Sequence, residues 1–153
     1  MSELLSLKAE LYTHCQEYLQ DKIRMLEAAL ASVTESRDNE TKSSVGDKYE
    51  TGRAMMQLEE EKYRTQLANN LQAQSLLDRI DPDLVRDKVE HGSLVQTDRG
   101  WYFLAIGIGK VKLQDKLFFV VSTDSPIGGM LLQKQVGDQI IFQGKKVSVL
   151  AIS

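Results

Sequence analysis

Two carboxylates set three residues apart, Asp47 and Glu50, stand in the polar stretch Gly46-Asp47-Lys48-Tyr49-Glu50-Thr51. On a helix, residues i and i+3 bring their Cβ atoms within about 6 Å. Two such carboxylates can share one divalent ion or one water, and a hard ion such as Mg²⁺ prefers oxygen ligands. The same spacing also suits a plainer role. Asp-x-x-Glu and Ser44-x-x-Asp47 both read as capping boxes, and carboxylates near a helix N-terminus are favoured by its dipole. Pattern alone leaves both readings open.

Other reactive residue types offer less. Cys15 lies on an apolar stripe and reads as packing. His14 beside it points elsewhere on a helix, so the two do not form a nucleophilic pair. Glu59-Glu60-Glu61 reads as a solvated helix face, Met55-Met56 as seam packing, and His91 as a surface residue in a polar turn. Tyr49 suits stacking on a base or closing the end of a hairpin. No glycine-rich phosphate loop, zinc spacing or nucleophile elbow occurs in the sequence.

The elements that must carry the acidic pair follow from periodicity. Leu4, Leu7, Leu11, Cys15, Leu19, Ile23, Leu26, Leu30 and Val33 recur at steps of three and four, the helical period. One narrow stripe of this kind suits a two-helix seam, on a helix on the order of 45 Å long. Residues 34–42 are all polar and read as the turn. A second stripe follows through Met55 or Met56, Leu58, Tyr63, Leu67, Leu71, Leu77 and Ile80. The expectation is an antiparallel helical hairpin, a coiled coil over residues 1–80, with an acidic tip near residues 34–50.

Composition changes at Asp81-Pro82-Asp83. Residues 1–80 hold no proline and two of the ten glycines; both prolines and the other eight glycines come later. Asp81-Pro82 predicts the start of a short helix through Leu84, Val85 and Val89. Short β-like runs follow: 94–96, 101–106, 116–121, 139–142 and 145–152, separated by Asp98-Arg99-Gly100, Gly137-Asp138 and Gln143-Gly144. Ser125-Pro126 opens a short helix through Ile127 and Leu132, with Ser as N-cap and Pro at the first helical position. Lys145-Lys146 reads as a guard against strand pairing. The fold class is α+β, with a small β-rich domain over residues 81–153.

A net charge of −3 gives no basic excess to point at free nucleic acid as the main partner. The single cysteine excludes an intrachain disulfide and fits a reducing compartment. With no signal-peptide pattern and no apolar run near ~18 residues, the expectation is a cytoplasmic protein without a membrane partner.

Three features resemble the Gre family of bacterial transcript-cleavage factors (GreA and GreB). The first is the layout of helical hairpin then β-rich domain. The second is Ser125-Pro126-Ile127-Gly128-Gly129-Met130-Leu131-Leu132-Gln133-Lys134-Gln135-Val136-Gly137-Asp138, similar to the family's Ser-Pro-Ile helix and Gly-Asp turn. The third is Gly46-Asp47-Lys48-Tyr49-Glu50-Thr51, similar to its Gly-Asp-Leu-x-Glu-Asn tip. The resemblance implies an FKBP-like C-terminal domain that docks on RNA polymerase through Asp124, Ser125, Pro126 and Ile127. It implies a coiled coil entering the secondary channel, with Asp47 and Glu50 near the nascent RNA 3′ end. These would help place a Mg²⁺ shared with the polymerase, so the protein alone binds no cofactor, is a monomer, and is not itself an enzyme. Lys48 replaces the family's Leu, Thr51-Gly52-Arg53 replaces Asn-Ala-Glu, and Gln133 stands where Gly is frequent. These departures bear on cleavage more than on binding. They leave open a relative that occupies the same channel and modulates or inhibits without cleavage. A peptidyl-prolyl isomerase and a purely structural coiled coil are further readings. The isomerase needs an aromatic-lined pocket, whereas Trp101, Tyr102 and Phe103 read as core.

Overall fold

The computed structural model describes the backbone of residues 2–42 and 46–153, and the side chains of residues 3–39 and 51–153. The architecture is α+β. Two long helices, α1 (Ser2–Lys42) and α2 (Gly46–Asp78), precede a mixed six-stranded sheet and one short helix. Two compact units result. One comprises Glu17–Gln74; the other joins Met1–Gln16 to Ser75–Ser153.

In α1 the predicted stripe is buried at Leu7, Leu11, Cys15, Leu19, Ile23 and Val33. The helix does not stop after Val33, however. Residues 34–42, expected as the turn, continue α1 to Lys42. They contain no glycine or proline to break a helix. What they lack is an apolar stripe, because an ionic contact takes its place there.

The stripe of α2 also runs differently from the reading above. Met55, Leu58 and Leu71 are exposed. The inward positions are Met56, Glu60, Tyr63, Leu67, Asn70, Gln74 and Leu77, at steps alternating four and three. Within the Glu17–Gln74 unit the helices run antiparallel. Residues 22–29 of α1 and 63–70 of α2 line one groove, and Arg37 meets Glu60.

The sheet has strands β1 (Leu94–Thr97), β2 (Gly100–Leu104), β3 (Gly109–Leu113), β4 (Lys116–Val121), β5 (Gln139–Phe142) and β6 (Lys145–Ile152). Their order is β3-β4-β2-β1-β6-β5. Neighbours are antiparallel except β2 and β4, which pair in parallel from Trp101↔Phe118 to Leu104↔Val121. The run β3 was not foreseen, since Lys110 and Lys112 flank only one buried residue, Val111. Its hairpin with β4 turns on Gln114 (φ 50°) and Asp115 (φ 62°), both left-handed as a two-residue turn requires.

One face of the sheet packs Val95, Leu104, Ile140, Val147, Val149 and Ile152 against α3 (Pro126–Leu131), through Ile127 and Leu131. Phe103 and Phe118 alternate with these and are fully buried. Burial on both sides explains the near-continuous apolar run of β4. Each such phenylalanine contributes on the order of 1.5–3 kcal/mol.

The helix expected over 84–89 is absent. Asp81 Oδ1 accepts the Asp83 N–H at 3.0 Å in a turn, and the chain then extends so that Lys88 bridges Gln135. Val89 N–H donates to Lys134 O at 2.9 Å, and Gln133 N–H donates to Val89 O at 2.7 Å. The carbonyl of Leu84, which a helix would use internally, instead receives Lys8 Nζ at 2.7 Å.

Candidate functional site

Asp47 and Glu50 lie three residues apart on helical backbone at the start of α2. Their side chains lie outside the described residues, as do those of Lys48 and Tyr49. What the described residues supply is the support beneath them. Glu60 is buried, 5% exposed, in the middle of the acidic run read as solvated. Its Oε2 accepts Arg37 Nη1 from α1, while Oε1 accepts Arg64 Nε at 3.2 Å and Nη2 at 2.7 Å. The Arg64 hydrogen bond, together with the positive charge of Arg37 and Arg64, holds its carboxyl below the usual range despite burial. The chain midway between Arg37 and Glu60 is Lys48-Tyr49.

The second expected segment is described in full. Ser125 caps α3: its Oγ accepts the Gly128 N–H at 3.1 Å and donates to Ser122 O at 2.7 Å. Pro126 follows at the first helical position, as its fixed φ and missing N–H favour. Asp124 and Pro126 are exposed, Ser125 is half-buried, and Ile127 is buried in the core. The four residues therefore divide. Asp124 and Pro126 face solvent, while Ser125 and Ile127 hold the turn and the helix in place. Gly128 is required: a Cβ there would stand 2.1 Å from Ser122 O.

Beside α3 a cleft of about 360 Å³ is lined by Tyr102, Phe119, Val121, Ile127 and Phe142, with Arg99 and Lys145 among its polar wall. Tyr102 and Phe119 stack with centroids 5.3 Å apart. Tyr102, read as core, is thus half-buried at a cleft, whereas Phe103 is core as expected. Comparison with protein-family models, characterised proteins and solved structures finds no match.

Two further residues escaped the sequence reading. Lys8 is fully buried, and its Nζ donates to Leu84 O. Burial, then the charge of Arg86, push its pKa down to about 8, against the opposing pull of Asp81 and Asp83. His91 is half-buried, and its Nε2 lies 2.8 Å from Leu76 O in the last turn of α2, which it caps rather than standing free. Spacing held a signal for both missed charges. Lys8 falls four residues after Leu4 and three before Leu11, and Glu60 falls between Met56 and Tyr63.

Cys15 is buried, and burial pushes its thiol up to about 12, so it is a packing residue and not a nucleophile. Among the described residues, no group of three or more His, Cys, Asp or Glu side chains is arranged to hold a metal ion. Among the described residues, no helix is long and apolar enough to cross a membrane.

Proposed function

We propose that this chain is a Gre-like transcription factor: it binds bacterial RNA polymerase at the secondary channel and stimulates cleavage of backtracked RNA. The observation that carries this reading is the pairing of Arg37 with Glu60, whose midpoint in sequence is Lys48-Tyr49. α1 ends at Lys42 and α2 begins at Gly46, so a fold-back between them carries Asp47 and Glu50 in the first turns of α2. The Glu17–Lys42 part of α1 alone spans on the order of 40 Å at ~1.5 Å per residue, a reach suited to a deep channel.

Asp47 and Glu50 are hard oxygen donors of the type Mg²⁺ takes, but two carboxylates are too few to hold it alone. They would hold the ion together with carboxylates of the polymerase, and the chemistry it would supply there is activation of a water and charge shielding at the scissile phosphate. The chain's own part is to carry negative charge to that point and hold it there. The sheet unit supplies the anchor. A single short helix against one sheet face supports an FKBP-like domain, and exposed Asp124 and Pro126 beside the aromatic cleft supply a docking edge.

The test is RNA 3′-end cleavage in stalled elongation complexes of the cognate polymerase, with wild type and Asp47→Ala/Glu50→Ala. Cleavage that rises with wild type and vanishes in the double variant, with binding retained, supports the reading. Binding without cleavage by wild type selects the modulator that fills the same channel. The cleft keeps the isomerase reading in view, because Tyr102, Phe119 and Phe142 supply the aromatic wall it needs. A proline-peptide isomerisation assay decides that point.

A further inference from the structure

The apolar stripe of α1 ends at Val33. From there through Asn39 the described side chains of α1 are Thr34, Glu35, Ser36, Arg37, Asp38 and Asn39, none of them apolar. Hydrophobic packing therefore cannot hold α1 to α2 along this stretch. Among the described residues, a contact that does so is ionic. Arg37, 28% exposed at its side chain, reaches across to Glu60, 6% exposed. Arg64, one turn further along α2, grips the other oxygen of the same carboxylate.

We propose that Glu60 is a latch: with Arg37 it ties α1 to α2 below the tip and so positions Asp47 and Glu50, while Arg64 fixes the carboxylate in the orientation that reaches Arg37. The inference rests on the tip reading given above. Arg37 stands ten residues before Asp47, and Glu60 ten residues after Glu50. The latch thus constrains the two chain segments that lead into the acidic pair.

A buried ion pair is a poor way to add stability, because desolvation offsets most of its attraction. What the pair does is set register: any slip leaves the Glu60 charge buried without a partner. Arg37, Glu60 and Arg64 are therefore positioning residues, acting through the backbone that carries the carboxylates.

The test uses the full chain with spin labels at Ser36→Cys and Gln57→Cys, both exposed positions, while buried Cys15 remains unlabelled. Distances are measured by pulsed electron resonance. Wild-type residues at 37, 60 and 64 give one narrow distribution. Glu60→Gln, which keeps size, and Glu60→Leu, which removes the acceptor for Arg37 and Arg64, both broaden it. The triple reversal Arg37→Glu/Glu60→Arg/Arg64→Glu restores it. In the cleavage assay Glu60→Gln lowers the rate at saturating factor on the order of 10- to 100-fold with little change in half-saturating concentration, and the triple reversal recovers the rate.

Unchanged distances in both single variants overturn the latch. Broadened distances with full cleavage overturn its positioning role. A wild type that binds polymerase without cleaving removes the cleavage reading, and the positioning role with it. In that case a broadening reversed by the triple variant leaves only the register pin, so the two failures are told apart.

Discussion

Lys8 Nζ donates to the carbonyl oxygen of Leu84 at 2.7 Å across 76 residues of sequence, and Arg86 Nη1 donates to the same oxygen at 3.1 Å. Two cations share one backbone acceptor, and one of them is fully buried. This explains both the extended backbone after Asp83 and the lysine's depressed pKa.

The pH dependence follows from that shift. An unfolded lysine keeps its proton to about 10.5, while folded Lys8 releases it near 8. Below pH 8 both states are protonated and Lys8 contributes no slope. Between 8 and 10.5 the unfolded state binds more protons, so the Lys8 term makes the fold more stable as pH rises. Tyr12 and Tyr102, both raised by burial, act in the opposite sense, but only above the ordinary tyrosine pKa of about 10. The difference between wild type and Lys8→Met isolates the lysine. Denaturant unfolding should show Lys8→Met more stable at pH 7 by about 1–3 kcal/mol, with the advantage shrinking towards pH 10.5. A difference that does not change with pH would contradict this.

Gln133 follows α3 with φ +68°, a left-handed conformation that a residue with a side chain adopts at a cost. Its side chain is exposed, and its N–H bond to Val89 O needs only backbone. Gln133→Gly should raise stability by about 0.5–1 kcal/mol in a urea titration. A loss would mean that the side chain makes contacts worth more than the strain.

Gly128 allows the first turn of α3 to press on Ser122. Gly128→Ala would drive Cβ to 2.1 Å from Ser122 O and 2.8 Å from Ser125 Oγ. The backbone must move and the cap is lost with it. The expected cost is about 3 kcal/mol, seen as a fall in Tm of about 10 °C. The neighbouring Gly129→Ala meets nothing closer than Thr123 O at 3.6 Å and should be nearly silent.

Cys15 is buried with its thiol pushed up to about 12. Native protein at pH 8 should resist a thiol-specific reagent, and labelling should follow global unfolding in denaturant. Rapid native labelling would show that the stripe opens locally there.

Much of this molecule is written in local patterns. The stripe from Leu7 to Val33 predicts α1 because an apolar residue every three or four positions has one geometric solution. Ser125-Pro126 predicts the start of α3, since the cap and the missing proline N–H act within one turn. Gln143-Gly144 predicts the last hairpin for the same local reason.

What local pattern could not decide was which charged residues are inside. Glu60 has Glu59 and Glu61 on either side; its spacing from Met56 and Tyr63 puts it on the seam, but the partner that lets it stay there lies 23 residues earlier. Lys8 lies among leucines, and its acceptor is a backbone carbonyl 76 residues away. α1 runs past its apolar stripe because an ionic contact leaves no hydrophobic period, and the chain after Pro82 gives the Leu84 carbonyl to Lys8, 76 residues away. Apolar burial repeats along the chain and shows in the sequence. Where a buried charge finds its partner depends on how the chain folds back, and only the tertiary structure specifies that.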